Sequence, residues 1–275
     1  MSGLVVVMAA VLGLVVGSFL NVVAHRVPAG LSVVRPASRC PGCGNGIAKR
    51  DNVPVLSWLA LRGACRHCRM PISARYPLIE AGTAVAFAVA VLPFAADLDR
   101  AVDVRTLLAT TLEVVAFLYL AAISIALAAI DLDVKRLPNA IVLPAYAVGP
   151  ALLGPVALLR GDLVPLGTAA AGAGAAFLLY FTLWFFKPGG MGLGDVKLAG
   201  VLGLFLGFLG VPQLVVGVAA GFLLGGVFGA LLLVTRRSSR SSAIPFGPWM
   251  LLGAWVGVLA GQPVAAGYLR LVGLS

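Results

Sequence analysis

The sequence predicts an all-α polytopic membrane protein of about eight transmembrane helices, with a small zinc-binding cytoplasmic domain after the first helix. The chain has 275 residues, of which 61% are hydrophobic and 11% charged, and this composition is typical of membrane proteins. Apolar stretches of roughly 20 residues, the length of one helical crossing, recur from end to end. The alternating pattern of a β-barrel is absent, so helices are the predicted spanning structure.

The apolar stretches place eight spans at residues 3–24, 77–96, 106–130, 139–159, 165–186, 196–211, 213–235 and 248–265. The fourth and sixth spans are predicted least strongly, because the fourth contains prolines and the sixth is short. The first span differs from a signal peptide, since Met1-Ser2-Gly3 has no basic residue and the basic residues follow the apolar run. We expect a retained helix with its N-terminus outside.

The net charge is +10, and the Lys and Arg residues are distributed over the loops between the predicted spans rather than gathered in one patch. We therefore expect no nucleic-acid partner. Sixteen of the 20 Lys and Arg residues fall in loops on one side of the predicted membrane, nine of them between Arg26 and Arg75. The positive-inside rule makes that side cytoplasmic. The predicted division is a first transmembrane helix (1–24), a cytoplasmic domain (25–76) and a transmembrane domain (77–275).

All four cysteines lie in the cytoplasmic domain, as two C-x-x-C pairs separated by 21 residues, Cys40-Pro-Gly-Cys43 and Cys65-Arg-His-Cys68. Paired knuckles at this spacing can bring four thiolates to one tetrahedral Zn²⁺. Disulfides or redox chemistry are the alternatives, but a cytoplasmic position favours reduced thiols and a metal. A closed four-cysteine site has no open coordination position, so the predicted zinc is structural.

A second candidate site lies in GGMGLGDVKLAG, residues 189–200, where Asp195 stands between two apolar runs. Ionisable groups at membrane depth are costly and usually mark a site, although an aspartate at a helix end can also rest in the interface. Gly192 and Gly194, with two more glycines before them, allow non-helical backbone or the close approach of another chain. Such backbone at membrane depth needs surrounding protein or a wet cavity.

A partner carboxylate is available in IDLDVKRLPN, where Asp131 and Asp133 end the third span on the same side. Two close carboxylates cannot both ionise cheaply, so the pair can share a proton and hold a water between a general base and a general acid. This is the chemistry of aspartic proteases. The alternative is that Asp131 and Asp133 only face Lys135 and Arg136 in water.

Three other ionisable residues fit simpler roles. Glu80 opens the second span and is expected at the interface, and Glu113 lies inside the third span, where we expect it to be paired or to face a lumen. Lys197 either tunes the charge of Asp195 or meets lipid phosphates. The sequence contains no Ser/His/Asp set, P-loop or G-x-G-x-x-G at a strand–helix junction.

These motifs in combination resemble the bacterial type IV prepilin peptidases, which are leader peptidases and N-methyltransferases of the GxGD class of membrane aspartic proteases. GSFLNVVAHRVP (17–28) is similar to the family's opening motif, and residues 38–80 resemble its cytoplasmic domain with both knuckles. DLDVKRLPN and GMGLGDVKL resemble the two catalytic aspartate motifs, and PFGPWM (245–250) the late cytoplasmic loop. The resemblance covers nearly the whole chain.

The resemblance implies that Asp131 and Asp195 are the catalytic aspartates, that Gly192 and Gly194 are the glycines of the GxGD motif, and that Asp133 is only a neighbour. It also implies an aspartic-type endopeptidase of the inner membrane that cleaves prepilins or pseudopilins after a glycine at the cytoplasmic boundary. No cofactor is expected for the peptidase chemistry. The implied setting is type IV pilus assembly or type II secretion.

The second implied activity is methylation of the new N-terminal residue from S-adenosylmethionine. The sequence contains no recognisable methyl-donor motif, so the residues that bind this cosubstrate are unknown and the activity is implied by resemblance alone. The complete cysteine domain favours a bifunctional enzyme over a peptidase-only form.

Two other classes of function stay open. An ion-coupled transporter could use Asp131 and Asp195 as ion sites, although paired broken helices in two related halves are not visible. A binding module could instead recruit a partner through its zinc domain, with both aspartates silent.

Overall fold

A computed structural model describes residues 2–187, 189, 191–235 and 245–273. Within these residues the secondary structure is helical, and the only β-pairing is two isolated bridges. The α-helices in chain order are α1 (Ser2–Arg26), α2 (Leu56–Ala60), α3 (Arg75–Val91), α4 (Ala95–Arg100), α5 (Val104–Val134), α6 (Asn139–Arg160), α7 (Val164–Phe186), α8 (Leu193–Leu209), α9 (Val211–Val234) and α10 (Gly247–Leu271).

Seven helical segments of the described chain are long and apolar enough to cross a membrane, with α3 continuing through a short 3₁₀ turn into α4 as one segment, Arg75–Arg100. All eight apolar runs of the sequence are helical, but α8 is not among these seven. Its 17 residues span only about 25 Å at 1.5 Å per residue, less than the roughly 30 Å of a bilayer core. The architecture is therefore that of a multi-pass membrane protein, as predicted, with one apolar helix fewer among the candidate spans.

Helix α8 can be short because protein surrounds it. Every residue from Val196 to Phe208 is buried except Lys197, and α6, α7, α9 and α10 all contact the helix. A helix that is apolar on every face is stable in such an interior position without reaching both membrane surfaces.

Helix boundaries follow local signals in the sequence. Asp103 caps α5, because its side chain accepts a hydrogen bond of 2.8 Å from the backbone N–H of Thr106. Helix α5 ends where Lys135 takes a left-handed conformation, and Pro138 directly precedes α6. Gly161 ends α6 with a φ of 72°, an angle that glycine adopts at little cost.

The chain forms two compact units. The first comprises Met1–Arg100 and Phe117–Ala129, and the second comprises Ala101–Ala116 and Ile130–Ser275. In the first unit, α1 and α3 pack so closely that a Cβ atom added to Gly17 would lie 2.7 Å from the Cα atom of Glu80. Small residues at the contact allow this approach.

In the second unit, α7 packs on α8 and α9 packs on α10 through glycines. A Cβ atom on Gly203 of α8 would lie 2.3 Å from the carbonyl oxygen of Gly172 in α7. A Cβ atom on Gly253 of α10 would lie 2.2 Å from the backbone nitrogen of Gly221 in α9. Because lipid provides no hydrophobic drive for helix association, such close packing contributes much of the stability.

The second unit also contains a buried ion pair. The carboxylate of Glu113, in α5, is 4% exposed and pairs with the guanidinium of Arg160 at the end of α6, at a distance of 2.5 Å. Of the two sequence-based alternatives for Glu113, paired or facing a lumen, the structure shows the pair. Pairing reduces the cost of placing a carboxylate among apolar helices.

We expect Gly203→Ala to lower the free energy of unfolding by about 1–3 kcal/mol, because the added methyl group meets backbone of α7 and the helices must separate. The measurement is thermal denaturation in a mild detergent. Gly174→Ala is the matched control, since nothing lies within 4 Å of a Cβ atom at that position of α7. Equal stability of the two variants would contradict this account of the packing.

Candidate active site and metal centre

The two C-x-x-C pairs form equivalent turns in the segment of residues 25–76, called here the cysteine segment. The backbone N–H groups of Cys40 and Cys65 each donate to the carbonyl five residues later, at 2.9 Å. Each cysteine carbonyl accepts from the N–H four residues later, that of Gly44 (2.8 Å) or Arg69 (3.0 Å). Both of those residues have positive φ angles, 71° and 58°. Two copies of one turn thus present their thiols to a common point.

The four sulfur atoms meet in one cluster. Those of Cys40, Cys43, Cys65 and Cys68 all lie within 4.8 Å of one another. All four cysteines are free thiols, and the sulfurs of Cys40 and Cys68 are 3.7 Å apart. A disulfide requires about 2.05 Å. The cluster can therefore hold a metal ion.

Local backbone groups favour the thiolate form of one ligand. Hydrogen bonds from the backbone N–H groups of Cys43 and Gly42 lower the pKa of Cys40 to about 6. Thiolate is the form that binds a metal. Gly42 lies against Met70, and a Cβ atom there would lie 2.5 Å from the Met70 sulfur, so this side chain would have to move.

Asp131 is buried, at 4% exposure, in the last turn of α5. Its Oδ2 atom accepts a hydrogen bond of 3.1 Å from the backbone N–H of Gly247, the first residue of α10. The N–H groups of a first helical turn have no partners within the helix, so the carboxylate satisfies one of them. A Cβ atom on Gly247 would lie 2.7 Å from the same oxygen, so this contact needs glycine.

Asp195 is buried, at 8% exposure, as the third residue of α8. Its Oδ2 atom accepts the backbone N–H of Gly192 at 2.9 Å, and the carbonyl of Gly192 accepts the N–H of Asp195 at 3.1 Å. An acidic side chain in the first turn of a helix is stabilised by the helix dipole. Both aspartates therefore use one oxygen to bind backbone N–H at a helix start.

The two aspartates belong to the same compact unit, the second. Leu137 links their surroundings: Cβ atoms added to Gly194 and Gly247 would lie 3.0 and 3.3 Å, respectively, from its side chain. The structure thus brings together the two carboxylates that the resemblance selected. Asp133, by contrast, is exposed.

The glycines of the Asp195 turn have distinct roles. Gly189 has a positive φ of 83°, whereas Gly192 is extended and Gly194 is helical. The positive φ explains why residue 189 is glycine. Residue 194 is glycine because a side chain there would lie too close to Leu137. Gly190, which begins the longer stretch GMGLGDVKL and precedes the two glycines of the GxGD motif, lies outside the described residues.

Helix α6 forms two hydrogen bonds with α8 at Lys197, two residues after Asp195. The hydroxyl of Tyr146 donates to the carbonyl of Lys197 at 2.7 Å, and the ammonium of Lys197 donates to the side-chain oxygen of Asn139 at 3.0 Å. Gly200 lets the Tyr146 ring approach, because a Cβ atom there would lie 2.0 Å from the hydroxyl. Lys197 therefore contacts protein, which neither sequence-based alternative for this residue had named.

Sequence reasoning did not assign roles to Gly247, Leu137 or Tyr146. Gly247 belongs to PFGPWM, which the resemblance identified only as a loop, and Leu137 belongs to the first aspartate motif. Tyr146 had no signal, since one tyrosine in an apolar span is equally consistent with simple packing.

Comparison with known proteins adds two family matches. Residues 11–94 match the bacterial peptidase A24 N-terminal domain, and residues 118–234 match the type IV leader peptidase family. The first match includes both C-x-x-C pairs, and the second includes both aspartates.

Similar proteins named prepilin leader peptidase/N-methyltransferase align along nearly the whole chain. One from Pseudomonas putida is 37% identical over 98% of this chain and 95% of its own length. One from Aeromonas salmonicida is 35% identical over 94% and 92%, respectively. One from Pseudomonas aeruginosa is 32% identical over 96% and 93%, respectively. No solved structure matches the chain.

Two domain matches, relatives above 30% identity along almost the full length, and seven apolar helices agree with the resemblance found in the motifs. The chain belongs to the type IV leader peptidase family, as a multi-pass membrane peptidase.

Proposed function

We propose that this enzyme cleaves the leader peptide of type IV prepilins or pseudopilins and then methylates the new amino terminus. The buried pair of Asp131 and Asp195, each held by a backbone N–H at a helix start, carries the peptidase proposal. The names of the relatives support both activities, and the match of residues 11–94 supports the bifunctional form over a peptidase-only form. Neither the family matches nor the relatives' names support a transporter.

The aspartates suit a general acid–base mechanism. Each carboxylate uses Oδ2 for its backbone N–H, which leaves the other oxygen for water or substrate. The ionised aspartate takes a proton from water as the oxygen attacks the scissile carbonyl, and the protonated aspartate donates to the carbonyl oxygen. Collapse of the tetrahedral intermediate breaks the C–N bond, and the nitrogen leaves with a proton from the dyad.

We infer that the cysteine cluster holds structural Zn²⁺. Zn–S bonds of about 2.3 Å in a tetrahedron require sulfur atoms about 3.8 Å apart, and the sulfurs of Cys40 and Cys68 are 3.7 Å apart. Four thiolates complete the coordination sphere, so the ion would stabilise the two turns and take no part in peptide hydrolysis.

Methyl transfer would use S-adenosylmethionine as the methyl donor, with the amino terminus released by cleavage as the acceptor. The names of the relatives support this activity. The cysteine segment is the part of the chain that we associate with it. Incubating the purified enzyme with a prepilin and S-adenosylmethionine, followed by mass spectrometry of the product, tests both activities together.

We place the cysteine segment and the active site on the cytoplasmic side of the inner membrane. Sixteen of the 20 Lys and Arg residues support this orientation. The leader of the substrate would then be cut where it leaves the membrane on the cytoplasmic side.

An introduced cysteine at Ala29 should be protected from an impermeant maleimide added to intact cells, and it should react after the cells are permeabilised. Val102→Cys is the matched control, because Val102 is 93% exposed and lies in the loop predicted on the opposite side. Peptide mapping separates these labels from the native cysteines. Ready labelling at position 29 in intact cells would show that the cysteine segment lies outside the cell membrane and that the proposed orientation is wrong.

Asp131→Asn and Asp195→Asn should each reduce leader cleavage by roughly a thousandfold or more, with little change in thermal stability. Each amide still accepts the backbone N–H, but it can no longer exchange a proton with water. The double variant should be about as inactive as either single variant, because members of one catalytic unit are strongly non-additive.

Initial rates of prepilin cleavage at equal enzyme levels provide the measurement. Asp133→Asn is the control and should keep most of the activity, since Asp133 is exposed. If Asp195→Asn cleaves at nearly the wild-type rate, the dyad is wrong.

Cys40→Ser should release the metal and reduce methylation more than cleavage, because metal binding supplies much of the folding free energy of such small units. Zinc content by elemental analysis, together with separate assays of both activities, gives the result. His67→Ala is the control and should retain zinc, as His67 is expected to be a spectator. Wild-type enzyme that contains no zinc, together with a measured Cys40–Cys43 disulfide, would overturn the metal assignment.

A further inference from the structure

The cysteine segment is strongly basic. It contains nine Lys and Arg residues, and Asp51 is its one acidic residue. The carboxylate of Asp51 is already paired with Arg66, whose Nε donates to Oδ2 at 2.9 Å, and this guanidinium holds the pKa of Asp51 below its usual range. The next carboxylate along the chain is Glu80, in the second turn of α3.

Glu80 is buried within the protein. It is 8% exposed, and its Oε2 atom accepts a hydrogen bond of 2.6 Å from the backbone N–H of Val55 in the cysteine segment. No Lys or Arg among the described residues forms an ion pair with it. A buried carboxylate without a cation is unusual, because burial removes its hydration.

The backbone that binds Glu80 is strained. Val55 has φ 60° and ψ −50°, and the N–H of Leu56 donates to the carbonyl of Pro54 at 2.6 Å. This is a γ-turn with a positive φ at its centre, a rare conformation and a costly one for a β-branched residue. Strain of this kind persists where surrounding contacts impose it, and such residues cluster at binding sites.

The hydrogen bond to Val55 does not by itself require a charge, because a neutral amide would also accept it. The negative charge is explained if the site receives a cation. Glu80 lies five residues after the start of α3 at Arg75, near one end of a candidate membrane span. The new amino terminus of a cleaved prepilin is cationic and would arise at such a boundary.

We propose that Glu80 binds the amino-terminal ammonium group of the processed pilin for methyl transfer. This role rests on the methyltransferase activity proposed above. The bound ammonium loses a proton to water, and the free amine attacks the methyl carbon of S-adenosylmethionine. The carbon–sulfur bond breaks with its electron pair remaining on sulfur, which yields a neutral thioether and a methylated ammonium.

Glu80→Gln tests the charge while preserving the acceptor for Val55. The experiment supplies already processed pilin and S-adenosylmethionine to the purified enzyme and measures methylation. The KM for pilin should rise by about tenfold, the loss expected for one charge-assisted hydrogen bond, with the KM for S-adenosylmethionine unchanged. Leader cleavage should stay within about twofold of wild type, since the proposed dyad is intact.

Asp51→Asn is the matched control, because it removes the other carboxylate of this region and should leave both KM values unchanged. Equal methylation by Glu80→Gln and wild type would show that Glu80 only anchors the turn. A raised KM for S-adenosylmethionine alone would assign the carboxylate to the methyl donor, and the proposal would be wrong. Wild-type enzyme that cleaves but never methylates would instead refute the methyltransferase activity itself.

A second test uses the wild type and does not depend on how the variant folds. Short peptides with the sequence of the processed amino terminus should inhibit methylation about ten times more strongly with a free amine than with an acetylated one. Equal inhibition by the two peptides would overturn the proposal, because no cation-binding group would then be acting on the amino terminus.

Discussion

The constraint on which this structure depends is that a carboxylate among apolar helices needs a hydrogen-bond donor. Asp131, Asp195 and Glu80 each accept a backbone N–H, and Glu113 accepts from a guanidinium. The backbone donors lie at two helix starts and in one strained turn, where N–H groups have no helical partner. The polar sites are therefore located where the helical pattern stops, since only there is the backbone free to donate.

This constraint explains why glycine surrounds both aspartates. A side chain on Gly247 would collide with the carboxylate that its own N–H binds, and a side chain on Gly194 would press on Leu137. The same small residues that let membrane helices pack closely also let a helix start reach a buried acid. Glycine is therefore needed both where helices pack closely and where a helix start binds a buried carboxylate.

The sequence contained enough information to predict the helical membrane fold, the cysteine cluster and the two aspartates. Apolar length predicted the helices and spacing predicted the cluster. Isolated charges marked Asp131, Asp133 and Asp195, and the resemblance to a known family chose Asp131 over Asp133. The sequence did not indicate which residues of different helices contact each other at the site. Tyr146 contacts the carbonyl of Lys197 from another helix, and nothing local to either residue indicates that pairing. The buried position of α8 also follows from its neighbours, because a run of 17 apolar residues is compatible with several depths.

Glu80 shows what a local pattern leaves out. Its place at the start of an apolar run is typical of an interfacial residue, but nothing local indicates that α1 packs against it at Gly17 or that Val55 of the cysteine segment donates to it. A carboxylate that only fixed a loop could be replaced by an amide at little cost. Keeping the charge of Glu80, next to a basic segment whose one acid is already paired with Arg66, is explained when the cation arrives with the substrate. In this proposal the ammonium group of the substrate neutralises Glu80 in the first unit. Glu113 in the second unit is already paired with a cation of the protein, Arg160.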